Sequence, residues 1–423
     1  MRRLLSFTAV FHSLMLLTLA PTLNWSDAAA ASDWLQWRGP SGNGIAGTGQ
    51  GAPIEWSSTK NVIWKTDIPG RGHSSPTIVG DLIVLTTADE QAQVQGLIAF
   101  DRESGKQKWI TPVSQGGFPK LHNKNTHASS TVASDGTLFF AVFNHHRKLE
   151  AAALDAAGKI VWKRDVGGFD PKMYEYGYAA SPTIYKDTLI ITGNCDTISW
   201  MKALDLKTGK DVWSRDMPKG LVWSSPIVAN VAGREQLLLS GFEKFSAYDP
   251  NNGQPLWSVP CLTHATCGTA IWDNNVAFAS GGYPKAETVA VAADGSGRIL
   301  WKNNVKCYEQ SMLISDGYVY AFNDQGIFFC WEAATGREMW KSRQRGPVSA
   351  SPVLVDGLIY ASNELGTTYV FKASPEKFEL IAENQLGDES FATPVFLDGR
   401  AFIRVASSKS GSRQESLFCI GTK

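Results

Sequence analysis

The chain repeats itself roughly every 40 to 55 residues, and no other feature narrows its fold so far. One element of the repeat is a small or hydroxyl residue, then Pro or a substitute, then a β-rich run. It stands at Ser74-Ser75-Pro76-Thr77-Ile78, Ser181-Pro182-Thr183-Ile184, Ser225-Pro226-Ile227-Val228, Ser351-Pro352-Val353-Leu354 and Thr393-Pro394-Val395-Phe396. Weaker copies at Ser130-Thr131, Thr269-Ala270 and Ser311-Met312 bring the starts to eight: 75, 130, 181, 225, 269, 311, 351 and 393. The second element is a turn followed by tryptophan, as in Asp205-Leu206-Lys207-Thr208-Gly209 before Trp213. The Gly supplies the positive φ that such a turn requires. Each copy therefore reads as strand, strand, strand, turn, strand.

A four-stranded sheet of that size cannot bury both faces alone, so the copies must pack on one another, radially in a propeller. The expected fold is an all-β, eight-bladed propeller of four-stranded antiparallel blades. Trp64, Trp109, Trp162, Trp213, Trp257, Trp301 and Trp340 recur at one place per repeat. A ring that buries about 150 to 250 Å² fills the space between blades, so these are packing residues. The seventh repeat carries Leu380 where the Trp is due, and the eighth ends before its last strand. The segment Asn61-Val62-Ile63-Trp64-Lys65 looks like that missing strand. Pairing it with the repeat begun at 393 closes the ring and removes exposed edges.

Lys+Arg and Asp+Glu are 40 each, so no net charge draws the molecule to nucleic acid or an anionic membrane. Arg2 and Arg3, the apolar run Leu4 to Ala20 and the small residues Ala28 to Ala31 read as a cleaved export signal. The expected division is 1–30 signal, 31–60 extension and 61–423 propeller. No Cys near the cleavage site offers a lipid attachment, and no second apolar run is long enough to span a bilayer. The mature chain is expected to be a periplasmic or secreted monomer.

Six cysteines in an exported chain allow three disulfides. Cys330 and Cys419 occupy corresponding places in two repeats and read as small buried hydrophobes. Cys261 and Cys267 are the expected pair. No Cys-x-x-Cys, His-Glu-x-x-His or Gly-x-Ser-x-Gly occurs, which speaks against zinc chemistry and a serine-hydrolase elbow. His122, His127, His145 and His146 are the nearest approach to a metal set, with ordinary loop histidines as the stronger reading. The least repetitive stretches are Gly116 to His127 and Gly167 to Tyr178, and insertions in a repeat fold collect on one face. His122, Lys124, Asn125, His127, Tyr174, Tyr176 and Tyr178, with His73, are therefore the expected binding residues. The competing reading is that these loops only plug the channel.

The run Ala203-Leu204-Asp205-Leu206-Lys207-Thr208-Gly209-Lys210-Asp211-Val212-Trp213 resembles the pyrroloquinoline-quinone-like propeller repeat, and the likeness extends over about 61 to 421. Gln36-Trp37-Arg38-Gly39-Pro40 and Gly70-Arg71-Gly72-His73 look like exported propellers numerous in planctomycetes. Two branches of that family imply functions. The quinoprotein alcohol dehydrogenases hold the quinone with calcium and carry a disulfide of adjacent cysteines, a dipeptide absent here. The other branch, BamB, scaffolds barrel insertion into the outer membrane without a cofactor. The expectation is a scaffold for a protein or polymer partner, with no catalytic residue and no cofactor or metal. A quinone-dependent oxidoreductase with calcium is the first alternative, and a carbohydrate-binding or carbohydrate-active propeller the second.

Overall fold

The computed structural model describes residues 33–408 and 411–422, so the expected export signal and its cleavage site lie outside the described residues. Among the described residues, 32 strands form eight four-stranded antiparallel sheets. The blades run over 77–115, 133–168, 183–216, 227–260, 271–303, 313–343, 353–385 and 395–420. The last has only three strands of its own, and Val62–Ile68 pairs antiparallel with Gln414–Ile420 to complete it. The ring closes as the repeat predicted.

Burial follows position within the blade. A middle strand such as Thr188–Asn194 is buried almost throughout, because both of its faces meet neighbouring blades. The outer strand Asp211–Asp216 alternates exposed and half-buried residues and leaves Val212 in solvent.

Register gives the tryptophans one address. Trp64, Trp109, Trp162, Trp213, Trp257, Trp301 and Trp340 all pair with a small residue of the adjoining strand: Cys419, Ala99, Ala153, Ala203, Ala247, Ala290 and Cys330. Cys330 and Cys419 are thus equivalent positions, and both are fully buried. Most of these indoles donate to a backbone carbonyl in the turn of the next blade, as Trp162 does to Leu206 O at 2.8 Å and Trp109 to Ala156 O at 2.9 Å. The turn glycine lies under the same ring. A Cβ on Gly209 would stand 2.7 Å from Trp162 Cδ2, and one on Gly158 2.5 Å from Trp109 Cδ2. The repeat's Gly therefore serves both the turn and the neighbouring blade's Trp. Trp257 is the exception, bonding to Gln236 of its own blade, and Gly297 beyond it has nothing within 4 Å of a built Cβ.

The missing Trp of the seventh blade requires a correction. A bulge between Val370 and Phe371 places Ala382, not Leu380, at the tryptophan address, and Leu380 is exposed. The aromatic is supplied from outside the blade. Trp56 of the N-terminal extension is buried, stacks on Tyr360 at 6.2 Å and 10°, and takes Asn384 Oδ1 as acceptor for its backbone N–H.

The six cysteines are free thiols, so the expected Cys261–Cys267 bridge is not made. Cys261 ends the outer strand of the fourth blade, where burial above all pushes its thiol up to about 12, whereas Cys267 faces the central channel.

Candidate functional site

The repeat's hydroxyls form a belt around the channel. Ser75 N donates to Thr131 Oγ1 (3.0 Å), Thr131 N to Ser181 Oγ (2.9 Å) and Ser181 N to Ser225 Oγ (2.9 Å). The pattern resumes from Thr269 N to Ser311 Oγ, Ser311 N to Ser351 Oγ and Ser351 N to Thr393 Oγ1, each at 2.9–3.0 Å. Each hydroxyl thus satisfies a backbone donor of the preceding blade, which explains Ser and Thr at this place without catalysis. In the second blade the belt residue is Thr131 rather than Ser130, one residue later than the repeat suggested. Between the fourth and fifth blades Trp37 Nε1 donates to Thr269 Oγ1 at 2.9 Å.

That indole belongs to the extension, which threads along the channel. Trp34 bridges to Ile78 in the first blade and Ile45 to Leu354 in the seventh. Arg38 is wholly buried and donates to Asn43 O and Met312 O, both at 2.6 Å, while burial pulls its guanidinium down to about 9. The extension therefore shares in closing the channel, with Trp37 in the lining beside residues of the two long loops.

Above it a cavity of about 180 Å³ opens, with Trp37 in its lining. Belt residues Thr131, Ser181, Ser225, Thr269, Ser351 and Thr393 face it. Two residues before each belt position, one side chain per blade joins the lining: His73, Ser129, Ala179, Trp223, Cys267, Glu309, Ser349 and Phe391. Strand alternation brings every second residue to one face, so the two rings lie about 6–7 Å apart along the chain. The lower ring repeats one chemistry, and the upper ring has nearly a different residue in each blade.

The two long loops meet over this mouth. Asn125 Nδ2 donates to Tyr176 O at 2.7 Å, and His122 meets the Tyr176 ring edge-on at 4.9 Å. Lys124 reaches across to the seventh blade, with Nζ 2.6 Å from Glu364 Oε1. The Ser349 hydroxyl lies 2.5 Å from Glu364 Oε1 and 3.3 Å from Glu309 Oε2. Burial, followed by Glu364 and Asp324, raises the Glu309 carboxyl, against the opposing charge of Lys124. Burial first and then three arginines, led by Arg404, hold His73 well below its ordinary value; His122 is lowered by burial and by Lys124. Both shifts favour the neutral imidazole.

Of the expected binding residues, the structure brings His73, His122, Lys124, Asn125 and Tyr176 to the cavity. Tyr174 packs beside Tyr176 and Tyr283. Tyr178 is buried and donates to Thr192 O, a packing role. His127 is turned away, stacked on Phe118 at 4.0 Å. His145 faces Glu150 between blades and His146 lies against Gly117, so the four histidines do not converge. Trp37, Trp223, Tyr308, Glu309, Ser349 and Phe391 were not foreseen, although the upper ring was readable as the residue two before each repeat start.

Burial and Arg71 lower the His127 pKa from 6.5 to about 4. A histidine depressed on folding contributes stability present above its unfolded pKa and lost as pH falls towards the folded one. Between pH 6.5 and 4 the melting temperature of the wild type is expected to fall more steeply than that of His127→Gln. Parallel pH profiles for the two proteins would contradict this.

Among the described residues no group of three or more His, Cys, Asp or Glu is placed to hold a metal, and Glu309 is the one carboxylate in the cavity lining, which does not fit the calcium ion that the first alternative requires.

The family profile described as "Outer membrane protein assembly factor BamB" matches residues 25–194, 122–282 and 285–375. A protein of that description from Burkholderia pseudomallei is 24% identical over 295 residues, covering 66% of this chain and 68% of its own length. A 1-butanol dehydrogenase (quinone) from Thauera butanivorans is 26% identical over 189 residues, 40% of this chain and 28% of that protein. A solved europium-containing methanol dehydrogenase superposes with a TM-score of 0.67 at 13% identity, over 92% of this chain and 98% of its own, a likeness of fold.

Proposed function

Because the chain belongs to the BamB family of propellers, we propose that it is an exported, non-catalytic scaffold that holds a protein partner at the face where its two long loops meet. One observation carries the reading: the loop insertions converge there and leave apolar side chains in solvent. Met173 is 51% exposed and Tyr283 49%, with Tyr174 set edge-on to Tyr283 at 6.1 Å and Ile198 also exposed. Exposed Met and Tyr suit a partner surface, because Met adapts its shape and Tyr offers rigid amphipathic area. No described helix is long and apolar enough to cross a membrane. By analogy with its relatives the partner belongs to the outer-membrane assembly apparatus, met in the periplasm.

A photo-crosslinking residue in place of Met173 is expected to capture an outer-membrane assembly protein in living cells, and the same residue in place of the exposed Val212 on the rim is not. Met173→Asp with Tyr283→Ser should leave the melting temperature unchanged and remove interaction with the captured partner. Equal crosslinking from both positions would refute the assignment of this face. Calorimetric titration with pyrroloquinoline quinone and calcium, with dye-linked alcohol oxidation, is expected to give neither heat nor turnover; both together would make the chain an oxidoreductase.

A further inference from the structure

The chemistry of the channel mouth points to a ligand that the partner-binding face does not account for. Its charged groups already engage one another. Lys124 is paired with Glu364, and Ser349 links Glu364 to Glu309. An incoming anion would face both carboxylates, while burial above all raises the Glu309 carboxyl and so disfavours the anion that an incoming cation would need. The uncharged donors are different. Thr131, Ser181, Ser225, Ser351 and Thr393 are each at least nine-tenths buried, and their oxygens accept a backbone N–H or face the cavity. Among the described residues none of their hydroxyl protons is donated to a protein acceptor. Nε2 of His73, in the upper ring, is also buried without a partner. Each of these hydroxyls already accepts one bond, and its undonated proton, like the unpaired ring nitrogen, is a place where a ligand's oxygens can bond.

The same walls carry broad apolar surfaces: Trp37, Tyr176, Trp223, Tyr308 and Phe391. A cavity of about 180 Å³ is smaller than the roughly 300–1,000 Å³ of drug-sized sites, so it holds one ring rather than an extended molecule. A neutral six-membered ring with an apolar face and several hydroxyls on its edge satisfies all of these demands together. We propose that the mouth of the channel is a binding site for a single neutral pyranose, with the sugar's apolar face on the aromatic lining and its hydroxyls on the Ser/Thr belt, His73 and Glu309. The floor of the site is Trp37, so the extension is part of it. The site adjoins the Met173–Tyr283 surface through Tyr174, which packs on Tyr176 and Trp223 of the lining and on Tyr283, but its test reads sugar binding and leaves partner capture to a separate measurement.

Ala179 tests the site because it is the smallest residue of the upper ring and makes no side-chain hydrogen bond. Ala179→Trp fills the cavity and removes no polar contact, and Cys267→Phe does the same from two blades further round the ring should the first variant fail to fold. The full mature protein is screened on an array of neutral mono- and oligosaccharides. The sugar that binds is then titrated in a calorimeter, with inorganic phosphate and calcium chloride as separate titrants. Expected is one site per chain for a neutral sugar or the terminal unit of a glycan, an affinity at least tenfold weaker in the filled variant with an unchanged melting temperature, and no heat from the two ions. The proposal is overturned by an array with no bound sugar, by binding that the filled variants retain, or by binding of phosphate alone.

Discussion

Replacing Glu415 by Ala is expected to destabilise the protein by about 3–5 kcal/mol, because the change strands a buried cation. Glu415 and Arg404 are each 2% exposed, with Arg404 Nε 2.8 Å and Nη2 2.5 Å from Glu415 Oε2. Both residues belong to the last blade, but the pair also holds the first. Gly72 N donates to Glu415 Oε1 at 3.1 Å, and Arg404 Nη1 donates to Ser74 Oγ and Thr86 O at 3.0 and 2.9 Å. Two further ion pairs cross the same seam nearer the rim, Arg102–Asp398 and Arg400–Glu103. This is where the ring must close between the two ends of the chain, so opening it exposes blade faces on both sides. Equilibrium denaturation of the purified protein measures the loss. The double variant Arg404→Met with Glu415→Leu removes the charges together and should recover most of the stability, since apolar replacement of a buried pair is often neutral or favourable. A single variant within about 1 kcal/mol of the wild type would show that the clasp does not secure the ring.

The second large effect is expected at the tryptophan addresses. Trp162 is half-buried against the core, so Trp162→Ala should cost about 2–4 kcal/mol, toward the lower end of the range for truncating a buried aromatic. The contribution of the contact itself can be separated from that of the turn by comparing two glycines. Gly209 has φ +68° and a built Cβ in collision with Trp162, whereas Gly297 has φ +71° and open space around it. Gly297→Ala bears the backbone strain alone, about 1–3 kcal/mol for a left-handed non-glycine residue. Gly209→Ala adds displacement of the indole and, with it, its bond to Leu206 O. The difference between the two variants in denaturation midpoint therefore reports on the blade-to-blade contact. Equal losses would mean that the glycine serves the turn only.

The same pair of residues marks what could be read before the structure was known. Periodicity alone led to eight blades, to the order of strands within each, to the tryptophan addresses and to closure by the segment around Trp64. These are local or nearest-neighbour properties: a turn needs its Gly, a strand alternates with period two, and a blade face must be covered by the next copy. Errors of one and two residues arose where a strand start was ambiguous or a bulge shifted the count, at Ser130 against Thr131 and at Leu380 against Ala382. The family resemblance was likewise legible, because it rests on the same repeated residues.

What the repeat could not convey is how one blade completes another. That Gly209 lies beneath Trp162, that Trp56 stacks on Tyr360 of the blade that lacks its own tryptophan, and that Lys124 reaches Glu364 are contacts between residues 47, 304 and 240 positions apart. The candidate site belongs to the same class. Every blade gives the cavity one variable side chain and six of the eight also give a belt hydroxyl, none of them distinctive in its own segment, and only the closed ring brings them to one axis. The sequence by itself determined the blade and the number of copies, because both are set by short-range pattern and burial. Tertiary structure decided the channel mouth, because its chemistry is a property of the circle and of the extension laid against its inner strands.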